Sequence, residues 1–107
     1  MVGSMIEPKL FDIVELLVDL PESNLRLGAR GAIVDCYSNG EYEIEFSDRD
    51  GETIALCTLS ANQFVVVWQA QTKRWLLVSE QLATVVDRLS EEEQKQVLNF
   101  ALSLCQK

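Results

Sequence analysis

From Glu41 to Phe46 the chain reads Glu-Tyr-Glu-Ile-Glu-Phe, an unbroken alternation of acidic and large apolar residues. Successive side chains of a strand point to opposite faces, so Tyr42, Ile44 and Phe46 share a dry face and Glu41, Glu43 and Glu45 a wet one. A helix would scatter the same residues around its circumference. Just upstream stands Ser38-Asn39-Gly40. Asn-Gly is a strong hairpin signal, and the type I′ turn it favours sets positive φ at both Asn39 and Gly40. The partner strand begins at Gly31-Ala32-Ile33-Val34, with Gly28 three residues before Gly31. Glycines so placed suit a chain that turns with positive φ and then enters a strand packed closely on its neighbours. Arg26 to Phe46 therefore reads as loop, strand, turn, strand.

The same signals extend in both directions. In Phe11–Leu20, Val14, Leu16 and Val18 alternate with Glu15, Leu17 and Asp19, which predicts a first strand closed by Pro21. Strands two and three are expected over Gly31–Tyr37 and Glu41–Phe46. Asp48-Arg49-Asp50-Gly51 makes the next turn, with Gly51 in the left-handed position. Strand four follows over Thr53–Leu59, a short connection or single 3₁₀ turn over Ser60–Gln63, and strand five over Phe64–Trp68. Five short strands with turn signals between them point to a small barrel or sandwich. Gln69–Trp75 turns polar and basic and reads as a linker. Beyond it the period becomes helical. Leu82, Val85, Val86 and Leu89 fall on one face of a helix for which Ser79 is a candidate N-cap. Ser90 and Glu93 have capping-box spacing, and Glu91 to Glu93 suit the positive end of a helix dipole. The second helix places Val97, Leu98, Ala101, Leu104 and Cys105 on one face, with Lys107 at its favourable C-terminal end. The pair reads as a helical hairpin whose apolar faces need cover from the sheet, from each other or from another chain. The expected fold class is mainly β with C-terminal α: residues 1–68 form a five-stranded barrel, and residues 69–107 form the linker and two helices.

Charge is distributed unevenly along this plan. Residues 1–68 carry twelve acids against four bases, and residues 69–107 carry five of each, so the whole net charge of −8 sits on the β segment. That field repels phosphate backbones and anionic bilayers and attracts a basic protein, so nucleic-acid and membrane partners are not expected. No run approaches the roughly 18 apolar residues of a membrane span. The start, Met1 to Leu10, lacks the basic and apolar regions of a secretory signal, and Met1–Ser4 reads either as native chain or as a vector-derived leader before Met5. Three widely spaced cysteines, Cys36, Cys57 and Cys105, without a CxxC pair, argue against a disulfide framework or zinc knuckle. They are expected as small core residues in a reduced, cytoplasmic protein.

Enzyme chemistry finds little to work with. The chain contains no histidine, which removes the commonest general base and metal ligand together with every Ser-His or Cys-His pair. Gly28 and Gly31 lack the lysine and the strand-to-helix setting of a phosphate loop. Asp48-x-Asp50-Gly51-Glu52 falls short of a calcium loop's length and closing bidentate glutamate. No catalytic residue, metal or cofactor is expected. The candidate partner-binding residues are the acids Glu41, Glu43, Glu45, Asp48 and Asp50, and Trp68 and Trp75, which flank the linker. Such acids more often form a solvated face and such tryptophans more often serve packing, although tryptophan is enriched at binding hot spots.

Phe11-Asp12-Ile13-Val14-Glu15-Leu16 and Asp19-Leu20-Pro21-Glu22, followed by Leu27 to Val34, Tyr42 to Phe46, Asp50-Gly51-Glu52-Thr53 and Val65-Val66-Val67-Trp68, resemble a bacterial family known only as a domain of unknown function, number 4926. The resemblance implies a small SH3-like barrel and a non-enzymatic module, with no family site residues to carry over. Leu89 to Phe100 is similar to short bacterial helical segments of pattern Leu-Pro-x-Glu-x-x-x-Glu-Val-Leu-x-Phe, with Ser90 in place of the proline. Some of these occur in antitoxin-like proteins. The expected function is a protein-interaction module, antitoxin-like or immunity-like, that binds a basic partner. The alternative is a structural domain that self-associates as a homodimer.

Overall fold

The alternating segments pair into one antiparallel sheet of six strands in the computed structural model, which describes residues 6–106. The nature of Met1–Ser4 and the expected place of Lys107 lie outside the described residues. In chain order the strands are β1 (Ile13–Leu16), β2 (Arg30–Cys36), β3 (Glu41–Ser47), β4 (Thr53–Ser60), β5 (Phe64–Gln69) and β6 (Arg74–Trp75), followed by α1 (Val78–Asp87) and α2 (Glu91–Leu104). Short 3₁₀ turns at Pro21–Ser23 and Ala61–Gln63 join β1 to β2 and β4 to β5. The spatial order is β4-β3-β2-β1-β5-β6.

The mainly-β plan with C-terminal helices holds, but the sheet is open and the expected five-stranded barrel is not formed. Closure would need β5 to pair with β4. The outer side of β5 is instead taken by β6, which arises inside the stretch read as a linker and sets Trp75 opposite Trp68. The two ends of the sheet, β4 and β6, therefore stay apart.

Alternation fills the core as expected. Val14, Leu16, Ile33, Ile44, Phe46, Leu59, Phe64 and Val66 point into it from five strands, and Leu76 adds itself just after β6. Each such side chain contributes about 1.5–3 kcal/mol by leaving water. Tyr42 closes one end, edge-on to Phe64 at 5.6 Å. Of the three cysteines only Cys57 is buried. Cys36 ends β2 beside an exposed hairpin and Cys105 caps α2, so neither has core to enter.

The glycines divide their work as the spacing suggested. Gly28 turns with φ +93°, while a Cβ on Gly31 would stand 2.8 Å from both the Glu45 carbonyl and Ile44 Cγ2. The β2–β3 turn differs from expectation. Gly40 has φ 87°, but Asn39 is not among the positive-φ residues. The loop holds three residues rather than two: Gly40 N–H donates to the Tyr37 carbonyl at 3.2 Å and Tyr37 N–H to the Glu41 carbonyl at 2.8 Å. The Asn39 carboxamide oxygen accepts from Glu41 N–H at 3.0 Å, which holds Asn39 on the ordinary side of φ. The same loop recurs at Asp48–Glu52, with Gly51 left-handed as expected.

The helices begin on carboxylates. Ser79 lies inside the first turn of α1 rather than capping it, because Leu77 is the N-cap. Glu80 accepts from Leu77 N–H at 2.8 Å and from both prongs of Arg74 at 2.9 and 3.1 Å. The Arg74 hydrogen bonds and the Leu77 amide hold the Glu80 carboxyl below its ordinary value. Helix α1 lies against β5, and Arg88 donates to the Phe64 carbonyl at 2.7 Å. The Ser90–Glu93 capping box forms in both directions, at 3.1 and 2.9 Å. Helix α2 buries no residue. Gln94 ties it to the Val86 carbonyl at 2.8 Å, Val97 is half-buried, and Leu98, Ala101, Leu104 and Cys105 remain exposed.

Candidate partner-binding face

A single register row crosses the whole outer face of the sheet. Leu56 pairs with Glu45, Glu45 with Ala32, Ala32 with Ile13, Ile13 with Trp68 and Trp68 with Trp75. Leu56, Glu45, Ala32, Ile13 and Trp75 face outward by alternation, since their neighbours Cys57, Ile44, Ile33, Val14 and Leu76 are buried. Trp68 joins them through the register shift between Ile13 and Val14, which breaks its period with the core residues Phe64 and Val66. Glu45, Trp68 and Trp75, which are 23 or more positions apart in the pairing of acid with tryptophan, thus share one surface. Ala32 and Gly31 are small, so the middle of the row is a shallow depression of about 240 Å³ with Glu45 on one flank and Arg30 on the other.

The acidic half is ordered rather than loosely solvated. Glu43 accepts from the Thr58 hydroxyl at 2.7 Å and the Tyr37 hydroxyl at 3.2 Å. Partial desolvation, and then the Glu43 carboxylate, push the Tyr37 phenol above its ordinary value. Glu45 accepts from the Thr53 hydroxyl. Glu41 accepts from the Asn39 side chain at 2.9 Å. All three glutamates are half-buried, so their rotamers are set before any ligand arrives. The sheet face does not include Asp48 and Asp50. Asp48 is occupied within its own turn, accepting from Asp50 N–H at 2.9 Å and Glu52 N–H at 3.0 Å. Asp50 projects from the same turn beyond the end of β3.

At the aromatic end the Trp68 and Trp75 rings lie 6.4 Å apart. The Arg30 guanidinium stands 5.5 Å above the Trp75 ring and 3.6 Å from Glu15. Guanidinium over an indole face is an attractive cation–π pair, so this cation is partly spent within the protein. Arg30 was not among the residues expected from sequence; its signal is its place at the start of β2, where it pairs with Glu15 of β1. Ile54 and Leu56 were also missed. They sit on the wet side of an alternation whose dry side is Ala55, Cys57 and Leu59, so Thr53–Ser60 is apolar on both faces.

Partial desolvation, and then the nearby Asp35 carboxylate, push the Cys36 thiol up, away from the reactive thiolate. Among the described residues no group of three histidine, cysteine or acidic side chains is placed to hold a metal ion. No helix among them is long and apolar enough to cross a membrane.

These features define a mainly-β domain: an open antiparallel sheet with an acidic-to-aromatic outer face and two C-terminal helices. The family described as Domain of unknown function (DUF4926) matches residues 10–66, more than half of the chain, and the chain belongs to that family. The match runs from just before β1 into β5, leaving β6 and both helices outside it. Comparison with curated proteins and with solved structures found no match.

Proposed function

We propose that the protein is a non-enzymatic, cytoplasmic interaction module whose outer sheet face binds a basic protein, in the manner of an antitoxin-like or immunity-like partner. The observation that carries this reading is the register row that sets Glu45 on the same surface as Trp68 and Trp75. Pre-ordered carboxylates attract and orient a cationic surface, and an exposed tryptophan supplies a contact that sheds water. The charge of −8, concentrated in residues 1–68, adds long-range steering. The test is affinity capture from the native host at low ionic strength, comparing the full chain with a variant combining Glu43→Gln, Glu45→Gln and Trp75→Ala. The full chain is expected to retain a basic protein that about 0.5 M salt releases, with binding about 30-fold weaker in the variant. Equal retention by both would overturn the reading.

A homodimer is the second reading, favoured by α2. Leu98 and Phe100 are 57% and 67% exposed, and Leu102 and Leu104 are also bare. A helix apolar over so much of its circumference gains by pairing with its symmetry mate. Light scattering of the full chain is expected to give the mass of two chains. Leu98→Glu with Leu102→Glu, both at exposed positions, is expected to return it to one. A full chain that is already monomeric at about 100 μM sinks this reading.

A further inference from the structure

Strand β4 is the least protected edge among the described residues. Thr53–Ser60 is the longest strand, eight residues, and none of them is charged or proline. It pairs with β3 on one side only. In an antiparallel edge strand every second residue turns its N–H and C=O outward, a template for a further strand. Proteins usually blunt such an edge with lysine, proline, a bulge or a short length. The opposite edge obeys that rule, being two residues long and carrying Arg74. The edge of β4 follows it only at Ile54, where the pairing with β3 shifts register; Ala55–Ser60 runs without a break, and Ile54 and Leu56 on its outer face are 56% and 58% exposed.

Beside that edge runs a groove of about 440 Å³, between Leu56–Leu59 of β4 and the turn at Leu20–Ser23. The two walls meet where the Ser23 hydroxyl touches Cys57 Sγ at 3.5 Å. A strand laid along β4 would send alternate side chains into this groove, toward Leu20, Cys57 and Leu59. The other set would emerge on the outer face beside Ile54, Leu56 and Thr58. Two strand spacings, about 10 Å, would separate that set from Glu43 and Glu45 on β3, within reach of a lysine or arginine passing over β4. Glu22 lines the far wall, and among the described residues no basic one lines the groove. A second copy of β4 would fit the hydrogen-bonding edge but would bring the same acids with no cation to meet them, so charge selects a basic strand.

We infer that β4 accepts an extended segment of a basic partner as a seventh strand, its side chains alternating between apolar residues in the groove and lysine or arginine on the outer face. This rests on the reading of the protein as the acidic partner of a basic one, and it names how that partner is held. The probe is a synthetic peptide of about ten residues alternating lysine and valine, alongside the same peptide N-methylated at alternate amides, which keeps the charge and loses the ladder donors. With the full chain and the parent peptide, outward β4 amides are expected to exchange about tenfold more slowly. The N-methylated peptide is expected to bind about tenfold more weakly, as is the parent peptide to Leu56→Lys, whose exposed site leaves the melting temperature unchanged. Equal binding of the two peptides, or protection away from β4, overturns strand addition and leaves the acidic-partner reading standing. No binding at low salt overturns both. Protection of β4 that grows with protein concentration, without peptide, assigns the edge to a second copy and overturns the inference.

Discussion

Asp12→Ala is expected to lower stability by about 3 kcal/mol and the melting temperature by about 15 °C, the largest loss from any single polar side chain here. Asp12 is 2% exposed. Its carboxylate accepts from Lys9 N–H at 3.0 Å and from Ala70 N–H at 2.9 Å, residues that flank it from opposite ends of the sheet-forming segment. Its backbone carbonyl meanwhile accepts from Ile33 N–H at 2.9 Å. The side chain therefore fastens the N-terminal segment to the β5–β6 turn, while the backbone of the same residue ties it to β2. Alanine leaves two part-buried amides without their acceptor, and hydrogen bonds to charged groups are worth about 1.5–3 kcal/mol each. Asp12→Asn keeps one acceptor oxygen and is expected to fall between the two. Urea denaturation measures all three proteins, and a loss under about 1 kcal/mol for alanine would show that the amides find other partners.

Gly31→Ala is expected to cost a similar amount, about 3 kcal/mol, for the opposite reason: too much matter rather than too little. The added methyl would meet backbone at the Glu45 carbonyl and the fully buried Ile44 and Phe46, all at 2.8–2.9 Å. None of these is the loose end of a flexible side chain, so β2 and β3 must separate. Gly40→Ala provides the control. It has open space around it but a positive φ, and is expected to cost about 1 kcal/mol. If Gly31→Ala proved no worse than Gly40→Ala, the close approach of the two strands would be refuted.

Much of this architecture was legible because strands write their burial into the sequence with a period of two. Glu41–Phe46 shows it in full and β2 and β4 fall close to their expected bounds; β1 stops at Leu16, short of Pro21, and leaves Val18 exposed, while β5 is marked by its β-branched run rather than by alternation. Strand β6 escaped notice because two residues carry no period; its only mark is a second tryptophan set to pair across a turn with the first. Missing it is what made the sheet look closed. Asn39-Gly40 announced a hairpin correctly, but the dipeptide does not state loop length, and Ser38 joined the loop. Asp12 looked like any strand-flanking acid, since its partners lie 3 and 58 positions away. Within the candidate site, the acids and tryptophans could be named individually, while their common row depends on pairings between distant strands. The exposure of α2 could not be read at all: an apolar helical face has the same pattern whether it is covered or bare.

The molecule measures 46 × 28 × 26 Å, with its surplus negative charge confined to residues 1–68 and residues 69–107, which include both helices, electrically balanced. The centre of charge is thus displaced from the centre of mass. In the field of a cationic body such an object feels a torque as well as a pull, and it swings its sheet forward before touching. Tumbling is then no longer an unbiased search over orientations. Collisions that would present the helices first become rarer, and salt removes that alignment together with the attraction.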